Sequence, residues 1–473
     1  MLFNSIHFVV FFILVTSLYY TINWRFRWVL LLIASSYFYA SFIPAYLLIL
    51  GFIILVDYIS GICIERTKGR VRLGILVLSL ITNLSFLAFF KYFDFFNLNL
   101  TALSELFGER HETASFSTLF PGLILPIGLS FHTFQSMSYT IEVYRGHQKA
   151  EYNLGIYSLY VLFYPQLVAG PIERPQNVLW QFREKIDFDW KNLHTGLWMI
   201  ACGLFKKVVI ADRLALVTDH AFANTADNDA TSLLIAIVFY SFQIYCDFSG
   251  YSDIAIGTAR SMGIRLMVNF DAPYFSTSVS EFWKRWHISL STWFRDYVYI
   301  PLGGNRTGRI RMFSSLMLVF LLSGLWHGAD WKFIIWGGLH GCYLILGRII
   351  SSGYKRKPHA GIVGKGIKSL HIIWTFALVA FAWIFFRAES TSEAFKIIRI
   401  IATPTFYGPV NLGINNFELI FCLVLIMLLL WKDAYLRDFV PGKPSFWPSF
   451  ATISFICYLF GVFGSNQFIY FQF

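Results

Sequence analysis

Apolar runs close to the roughly 20 residues that a helix needs to cross a bilayer recur along the whole of this 473-residue chain. Several runs are short or interrupted by polar residues, so about eleven to thirteen true crossings and some re-entrant pieces are expected. The sequence predicts an all-α polytopic membrane protein with one multi-pass domain over 1–473. The candidate segments are 3–22, 29–43, 44–64, 74–95, 121–141, 154–170, 195–216, 231–257, 311–326, 332–350, 370–386, 414–431 and 449–464.

Composition and charge agree with a membrane protein. Hydrophobic residues make up 56% of the chain and charged residues only 14%, against roughly a quarter charged in soluble domains. The net charge of +11 comes from lysines and arginines in short loops between the apolar runs. This is the positive-inside pattern, so the charge indicates orientation in a bilayer and not a nucleic-acid partner. The first apolar run lacks a preceding basic region, which predicts a retained span and not a cleaved signal peptide.

Loop charge predicts which ends of the helices face the cytoplasm. The basic loops 25–27, 65–72 and 145–149 are expected inside, and the acidic loop 97–120 outside. The basic loops 305–311 and 348–368 are also expected inside. The helices between these last two loops then form a hairpin whose turn lies near the outer face.

That turn contains a histidine within apolar surroundings, in the segment 324–331 (GLWHGADW). A titratable imidazole at membrane depth is costly and marks a functional site by default. His327 is therefore the principal candidate catalytic residue, with Trp326 and Asp330 as neighbours that line a substrate channel. Gly324 and Gly328 are expected to leave room for close approach to the ring.

A second histidine lies in the charged and aromatic segment 281–297 (EFWKRWHISLSTWFRDY). On one continuous helix, Lys284, His287 and Ser291 would share a face. Such a helix is either amphipathic and interfacial or re-entrant, lining a polar cavity with His287 toward the substrate. The second interpretation is favoured, with Ser291 and Arg295 as lining residues.

Three further groups of residues carry weaker expectations. The turn at 299–306, with Asn305, is predicted either to meet a phosphate-bearing donor or to be a plain loop. Tyr240 to Asp253 places two carboxylates in an apolar helix, where hydrogen bonds between helices are favoured over cavity lining. His132 and Gln135 are predicted to line the same cavity as His327.

Several chemistries receive no support from the sequence. The six cysteines are isolated, without a CxxC pair, and no HExxH motif is present, so neither a metal site nor a permanently bound cofactor is predicted. The sequence contains no GxSxG elbow, so a serine nucleophile of that kind is not indicated. His327 and His287 remain as the candidate catalytic groups. A neutral buried histidine is suited to take a proton from an attacking hydroxyl.

Taken together, these motifs resemble the membrane-bound O-acyltransferase family, in particular its bacterial alginate O-acetyltransferase-like branch. The resemblance implies a funnel-shaped bundle of about eleven spans with re-entrant helices. It also implies that His327 is the near-invariant histidine of the family and that His287 occupies the second motif position. The matching segments are 170–175 (GPIERP), 245–253 (YCDFSGYSD), 282–291 (FWKRWHISLS), 297–306 (YVYIPLGGNR), 323–331 (SGLWHGADW) and 468–473 (FIYFQF), with the core motifs within about 240–345.

The resemblance implies an activity and a partner. An acetyl group from a cytoplasmic thioester, acetyl-CoA, would pass through the protein to an extracytoplasmic polysaccharide such as alginate. His327 would deprotonate the acceptor hydroxyl, while His287 would orient the donor or stabilise the oxyanion. The expected partner is an SGNH-hydrolase-like extracytoplasmic acetyltransferase, and the expected location is the inner or plasma membrane.

Two alternatives stay open at this point. One is transfer of another acyl group within the same family, such as the D-alanyl group of teichoic acid modification. The other is a proton-coupled transporter, since midplane histidines and broken helices also suit carriers. An inverted repeat would favour the transporter, and none is evident in the sequence.

Overall fold

The computed structural model describes the chain apart from residues 109–114, 124, 169, 224, 226–227, 353–360, 404–409, 438, 464–467 and 470–473. The described residues form helices and connecting turns and contain no β-strand, as the all-α prediction requires. The last four residues of the 468–473 motif lie outside the described part.

The chain divides into two compact units. The first comprises Met1–Ile200 and Ile254–Met267, and the second comprises Ala201–Asp253 and Val268–Phe473. Every predicted site residue except His132 and Gln135 falls in the second unit. The prediction of one multi-pass domain over the whole chain stays a prediction.

The chain up to residue 204 contains ten helices in its described part. Three short 3₁₀ and π-helical turns, at Trp24–Phe26, Ala88–Tyr92 and Leu179–Arg183, join or extend them. The helices are α1 (Ile6–Thr21), α2 (Arg27–Ala40), α3 (Tyr46–Arg66), α4 (Gly69–Leu87), α5 (Phe93–Leu106), α6 (Phe116–Leu119), α7 (Leu129–Arg145), α8 (Leu154–Leu162), α9 (Pro175–Val178) and α10 (Trp190–Leu204).

A further ten helices follow among the described residues from 205 onward. A π-helical turn, Phe205–Ala211, precedes them. Another, Arg295–Tyr299, and two 3₁₀ turns, Pro273–Phe275 and Gly304–Arg306, lie between them. The helices are α11 (Asp212–Ala223), α12 (Ala230–Ser261), α13 (Val279–Arg285), α14 (Ile288–Phe294), α15 (Arg309–His327), α16 (Trp331–Ser352), α17 (Gly361–Arg387), α18 (Thr391–Ala402), α19 (Asn416–Tyr435) and α20 (Lys443–Phe460).

Six of the described helices are long and apolar enough to cross a membrane: Tyr46–Arg66, Gly69–Leu106, Ala230–Ser261, Arg309–His327, Trp331–Ser351 and Val363–Arg387. Other predicted spans correspond to helices outside this set, such as α1, which has 16 residues. The prediction of a spanning helix at 154–170 is wrong. Helix α8 ends at Leu162, and Pro165, Gly170 and Pro171 follow within the next nine residues, where they prevent its continuation.

Helix α18 begins at a residue whose side chain caps it. Ser390 is the residue before α18, and its hydroxyl accepts a hydrogen bond from the backbone N–H of Glu393 at 3.2 Å. This satisfies one of the amides that a helix leaves open at its first turn.

The polar residues of α12 bind to neighbouring segments, which confirms the interpretation as hydrogen bonding between helices. Lys207 contacts Asp247 at 2.5 Å and Asp212 at 2.9 Å, and Lys206 contacts Asp253 at 2.7 Å. Both lysines belong to the π-helical turn Phe205–Ala211, and both are almost fully buried. Charges so placed need partners, and α12 and α11 supply them.

Helices α15 and α16 form the predicted hairpin, and glycines let them approach closely. A Cβ atom on Gly324 would lie 2.2 Å from the carbonyl oxygen of Phe333, and one on Gly337 would lie 2.2 Å from that of Phe320. A Cβ on Gly328 would lie 2.1 Å from the Phe333 ring. The expectation that Gly324 and Gly328 leave room for a ligand is therefore wrong, because the partner helix fills that space.

Substitution of Gly324 by alanine is expected to destabilise this hairpin by about 1–3 kcal/mol, since a backbone carbonyl must move to admit the methyl group. Gly338→Ala is the matched control on the same hairpin. Its Cβ would meet only a Leu321 methyl group, at 3.6 Å. Thermal unfolding in detergent measures both. Equal midpoints for the two variants would contradict the proposed helix contact.

Candidate active site

His327 is the last residue of α15 and is 4% exposed. Its imidazole meets three aromatic rings edge to face: Trp326 at 4.9 Å, Trp336 at 5.0 Å and Phe386 at 5.3 Å between ring centroids. Helix α15 ends here because Gly328 turns to an extended backbone with φ −164°. The imidazole thus lies at a helix end inside an aromatic enclosure built by α15, α16 and α17.

His287 lies at a break between two helices of seven residues each, α13 and α14. The prediction of one continuous helix with Lys284, His287 and Ser291 on a single face is therefore wrong. The physical reason is the left-handed backbone of His287, with φ 43°, which no helix interior accommodates. His287 is fully buried.

Side-chain contacts fix the orientation of the His287 ring. Its Nδ1 lies 3.2 Å from Oδ1 of Asn269, and the ring of Phe248 meets it edge to face at 4.6 Å. The burial of His287, which lies outside the six helices long enough to cross a membrane, lowers its pKa. The neutral imidazole is thus the favoured form.

One tryptophan connects the two histidines. The Trp326 ring centroid lies 6.2 Å from that of His287 and 4.9 Å from that of His327. A single ring separates the two imidazoles, whereas a hydrocarbon core is about 30 Å thick, so the histidines do not lie at opposite faces of a membrane. Both imidazoles belong to one site.

His340 also belongs to this aromatic core. Its Nδ1 accepts a hydrogen bond from Nε1 of Trp283 at 3.2 Å, and Trp336 lies 5.0 Å from its ring. Trp336 is equally distant from His327. The rings of His327 and His340 therefore share a tryptophan neighbour.

The other predicted lining residues of the second unit bond to neighbouring turns or, in the case of Asn305, also to α16. The Asp330 carboxylate accepts from the Lys332 N–H at 2.9 Å, and the Ser291 hydroxyl donates to the Trp286 carbonyl at 3.2 Å. Arg295 is paired with Asp296 and largely exposed. The Asn305 amide oxygen accepts from Tyr299 at 2.8 Å and from Arg348 at 2.9 Å. These contacts cap or fasten turns, and lining roles for the four residues stay predictions.

His132 and Gln135 lie on α7 in the first unit. His132 is buried with its ring 5.8 Å from that of Tyr39, and Gln135 donates to the backbone carbonyl of Tyr160. Their predicted role in lining the cavity of His327 stays a prediction.

Several residues that build the site were not predicted from the sequence. Asn269 touches His287 from 18 positions away. Trp336 and Phe386 contact His327, and Trp383 packs against both of those rings. Asn269 carried a weak signal as a lone amide between Val268 and Phe270. The tryptophans carried none, because aromatic residues are common throughout this chain.

The arrangement defines a class of protein. Two buried imidazoles, enclosed by aromatic rings in a polytopic helical protein, form a site suited to proton transfer away from bulk water. Among the described residues, no cluster of three or more metal-ligating side chains accompanies them.

The chain matches a protein family whose reaction is known. The membrane-bound O-acyltransferase family matches residues 73–387, which contain both histidines. The chain belongs to this family and is a multi-pass membrane O-acyltransferase.

Relatives named for three different activities are similar to the chain. The probable alginate O-acetylase of Pseudomonas aeruginosa is 40% identical over 80% of this chain and 71% of its own length. The peptidoglycan O-acetyltransferase of Helicobacter pylori is 37% identical over 78% and 72%. The teichoic acid D-alanyltransferase of Streptococcus thermophilus is 30% identical over 55% and 68%.

Proposed function

We propose that the protein moves an acetyl group from a cytoplasmic thioester, acetyl-CoA, across the membrane for O-acetylation of an extracytoplasmic polysaccharide. The observation that carries the proposal is the pair His327 and His287 around one tryptophan ring, in a chain about 40% identical to alginate O-acetylases. An enclosed pair of imidazoles suits proton removal from a hydroxyl where bulk water is excluded.

The reaction balances without a metal or redox partner. His327 takes the proton of the acceptor hydroxyl, whose oxygen attacks the thioester carbonyl. A carbon–oxygen bond forms, the carbon–sulfur bond breaks, and the thiolate leaves with a proton returned by an imidazole. Proton transfer of this kind contributes about 10²–10⁴-fold to a rate.

Final transfer to the polymer requires a partner on the other side of the membrane. An SGNH-hydrolase-like acetyltransferase would carry the group from the outer mouth to polysaccharide, and the inner or plasma membrane is the matching location. Alginate and peptidoglycan are both compatible acceptors, since relatives named for each are similar over about four fifths of the chain.

D-alanyl transfer is the competing assignment within the family. It receives less support, because the D-alanyltransferase relatives match only 55–56% of this chain at 30% identity. The relatives described above are named as acyl-transferring enzymes, so they do not support a transporter.

The donor is tested by supplying membranes with radiolabelled acetyl-CoA, with a D-alanyl thioester as the alternative donor. Acetyl label is expected in the polysaccharide fraction, and D-alanyl label is not. Incorporation of D-alanine alone would overturn the choice of acyl group. Proton-dependent flux without acyl turnover would overturn the enzyme assignment itself.

A further inference from the structure

Helix α14 begins at a residue that does not cap it. The Ncap position favours serine, threonine, aspartate or asparagine, whose side chains bind the first free amides. Here His287 occupies that position, and its side chain makes no such bond. Asn269, which lies on another segment, binds the first amides of α14 instead. Its backbone carbonyl accepts from the N–H of Ile288 at 3.0 Å, and its Oδ1 accepts from that of Ser289 at 3.2 Å.

The Ser289 amide determines which way the Asn269 side chain points. A backbone N–H only donates, so the atom facing it is the oxygen, Oδ1. The Ser289 hydroxyl also donates to this oxygen at 2.9 Å, and Nδ2 on the other side faces the Ser252 hydroxyl at 3.3 Å. A flipped amide would place its NH₂ group against the Ser289 N–H, which can only donate.

The oriented amide in turn determines the tautomer of His287. An amide oxygen only accepts, so the Nδ1 that lies 3.2 Å from it carries the proton. In a neutral imidazole the other nitrogen, Nε2, then presents a lone pair. Asn269, His287 and Ser289 are all fully buried, so bulk water does not compete for these hydrogen bonds.

We propose that Asn269 is a positioning residue that holds His287 as the Nδ1–H tautomer, so that His287 acts in acyl transfer as a proton acceptor through Nε2. The inference rests on the proposed function. It replaces the expectation that His287 stabilises an oxyanion, because that role needs an N–H toward the carbonyl. The one proton that His327 removes from the substrate hydroxyl passes to Nε2 of His287, which returns it to the leaving thiolate.

The test is the pH profile of acetyl transfer in the variant Asn269→Asp. Aspartate keeps the accepting oxygen and adds a negative charge beside Nδ1, which raises the pKa of His287. A proton acceptor works only when unprotonated, so the acid limb of the profile should move to higher pH by about 1–3 units. The matched control is Asn415→Asp, the same change at the exposed cap of α19, which should leave the profile unmoved.

Two results separate this inference from the proposed function. A wild-type profile in Asn269→Asp, with His287→Gln inactive, overturns the positioning role and leaves the proposed function standing. Absence of acetyl transfer by wild-type membranes overturns the proposed function.

A measurement on the unmodified chain covers the case in which the aspartate variant does not fold. The ¹⁵N chemical shifts of labelled histidine report which ring nitrogen carries the proton, and the signal missing in His287→Gln assigns the residue. Protonated Nδ1 with unprotonated Nε2 supports the inference, and the reverse pattern overturns it.

Discussion

Replacing His327 with glutamine is expected to lower acetyl transfer by about 10²–10⁴-fold, the usual contribution of a positioned proton-transfer group. Glutamine retains polarity and fills much of the same space but takes no proton. The enclosure by Trp326, Trp336 and Phe386 should survive, since those rings also contact each other and their neighbours. The loss should therefore appear in the chemical step and not in the yield of folded protein.

The measurement is the initial rate of label transfer in membranes that contain equal amounts of protein. His7→Gln is the control, because His7 is exposed on α1, where its ring bonds Tyr37. Its rate should equal that of the wild type. Wild-type rates in purified and folded His327→Gln would remove His327 from the reaction.

Replacing Lys207 with methionine is expected to cost about 3–5 kcal/mol of stability, the usual penalty for breaking a buried ion pair from one side. Methionine matches the length of the lysine stem but leaves Asp212 and Asp247 without their shared cation. Both carboxylates are nearly buried, so water cannot replace it. Asp247 is also adjacent to Phe248, which packs on His287, and activity should fall too.

Thermal unfolding in detergent measures the loss, with Lys185→Met as the control. Lys185 pairs with Asp187 at 3.2 Å, but both side chains are mostly exposed, 61% and 78%. Exposed pairs contribute about 0–1 kcal/mol. Similar losses in the two variants would show that the buried charges are not a connected part of the fold.

Local patterns in the sequence were enough to predict the helical class, the hairpin of α15 and α16, and both candidate histidines. These depend on apolar run length, loop charge and the rarity of titratable groups in apolar segments. The cap at Ser390 also depends on a local pattern, since its partner Glu393 is three residues away.

Features that depend on contacts between distant residues were not predictable from those patterns. The break at His287 is stabilised by Asn269, and one sequence does not show that these residues meet. Gly324 and Gly328 illustrate the same limit. A glycine beside a histidine fits either an open space or a close helix contact, and only the position of Phe333 decides between them.

The proposed function requires an acetyl group to leave a cytoplasmic thioester and to reach an acceptor outside through the site of His327. Right-side-out membrane vesicles with radiolabelled acetyl-CoA trapped inside test this directly, because the charged donor does not cross the bilayer. Label should reach the external polysaccharide in wild-type vesicles and stay inside in those with His327→Gln. Label that remains inside in both, or reaches the outside equally in both, would contradict transfer through the site of His327.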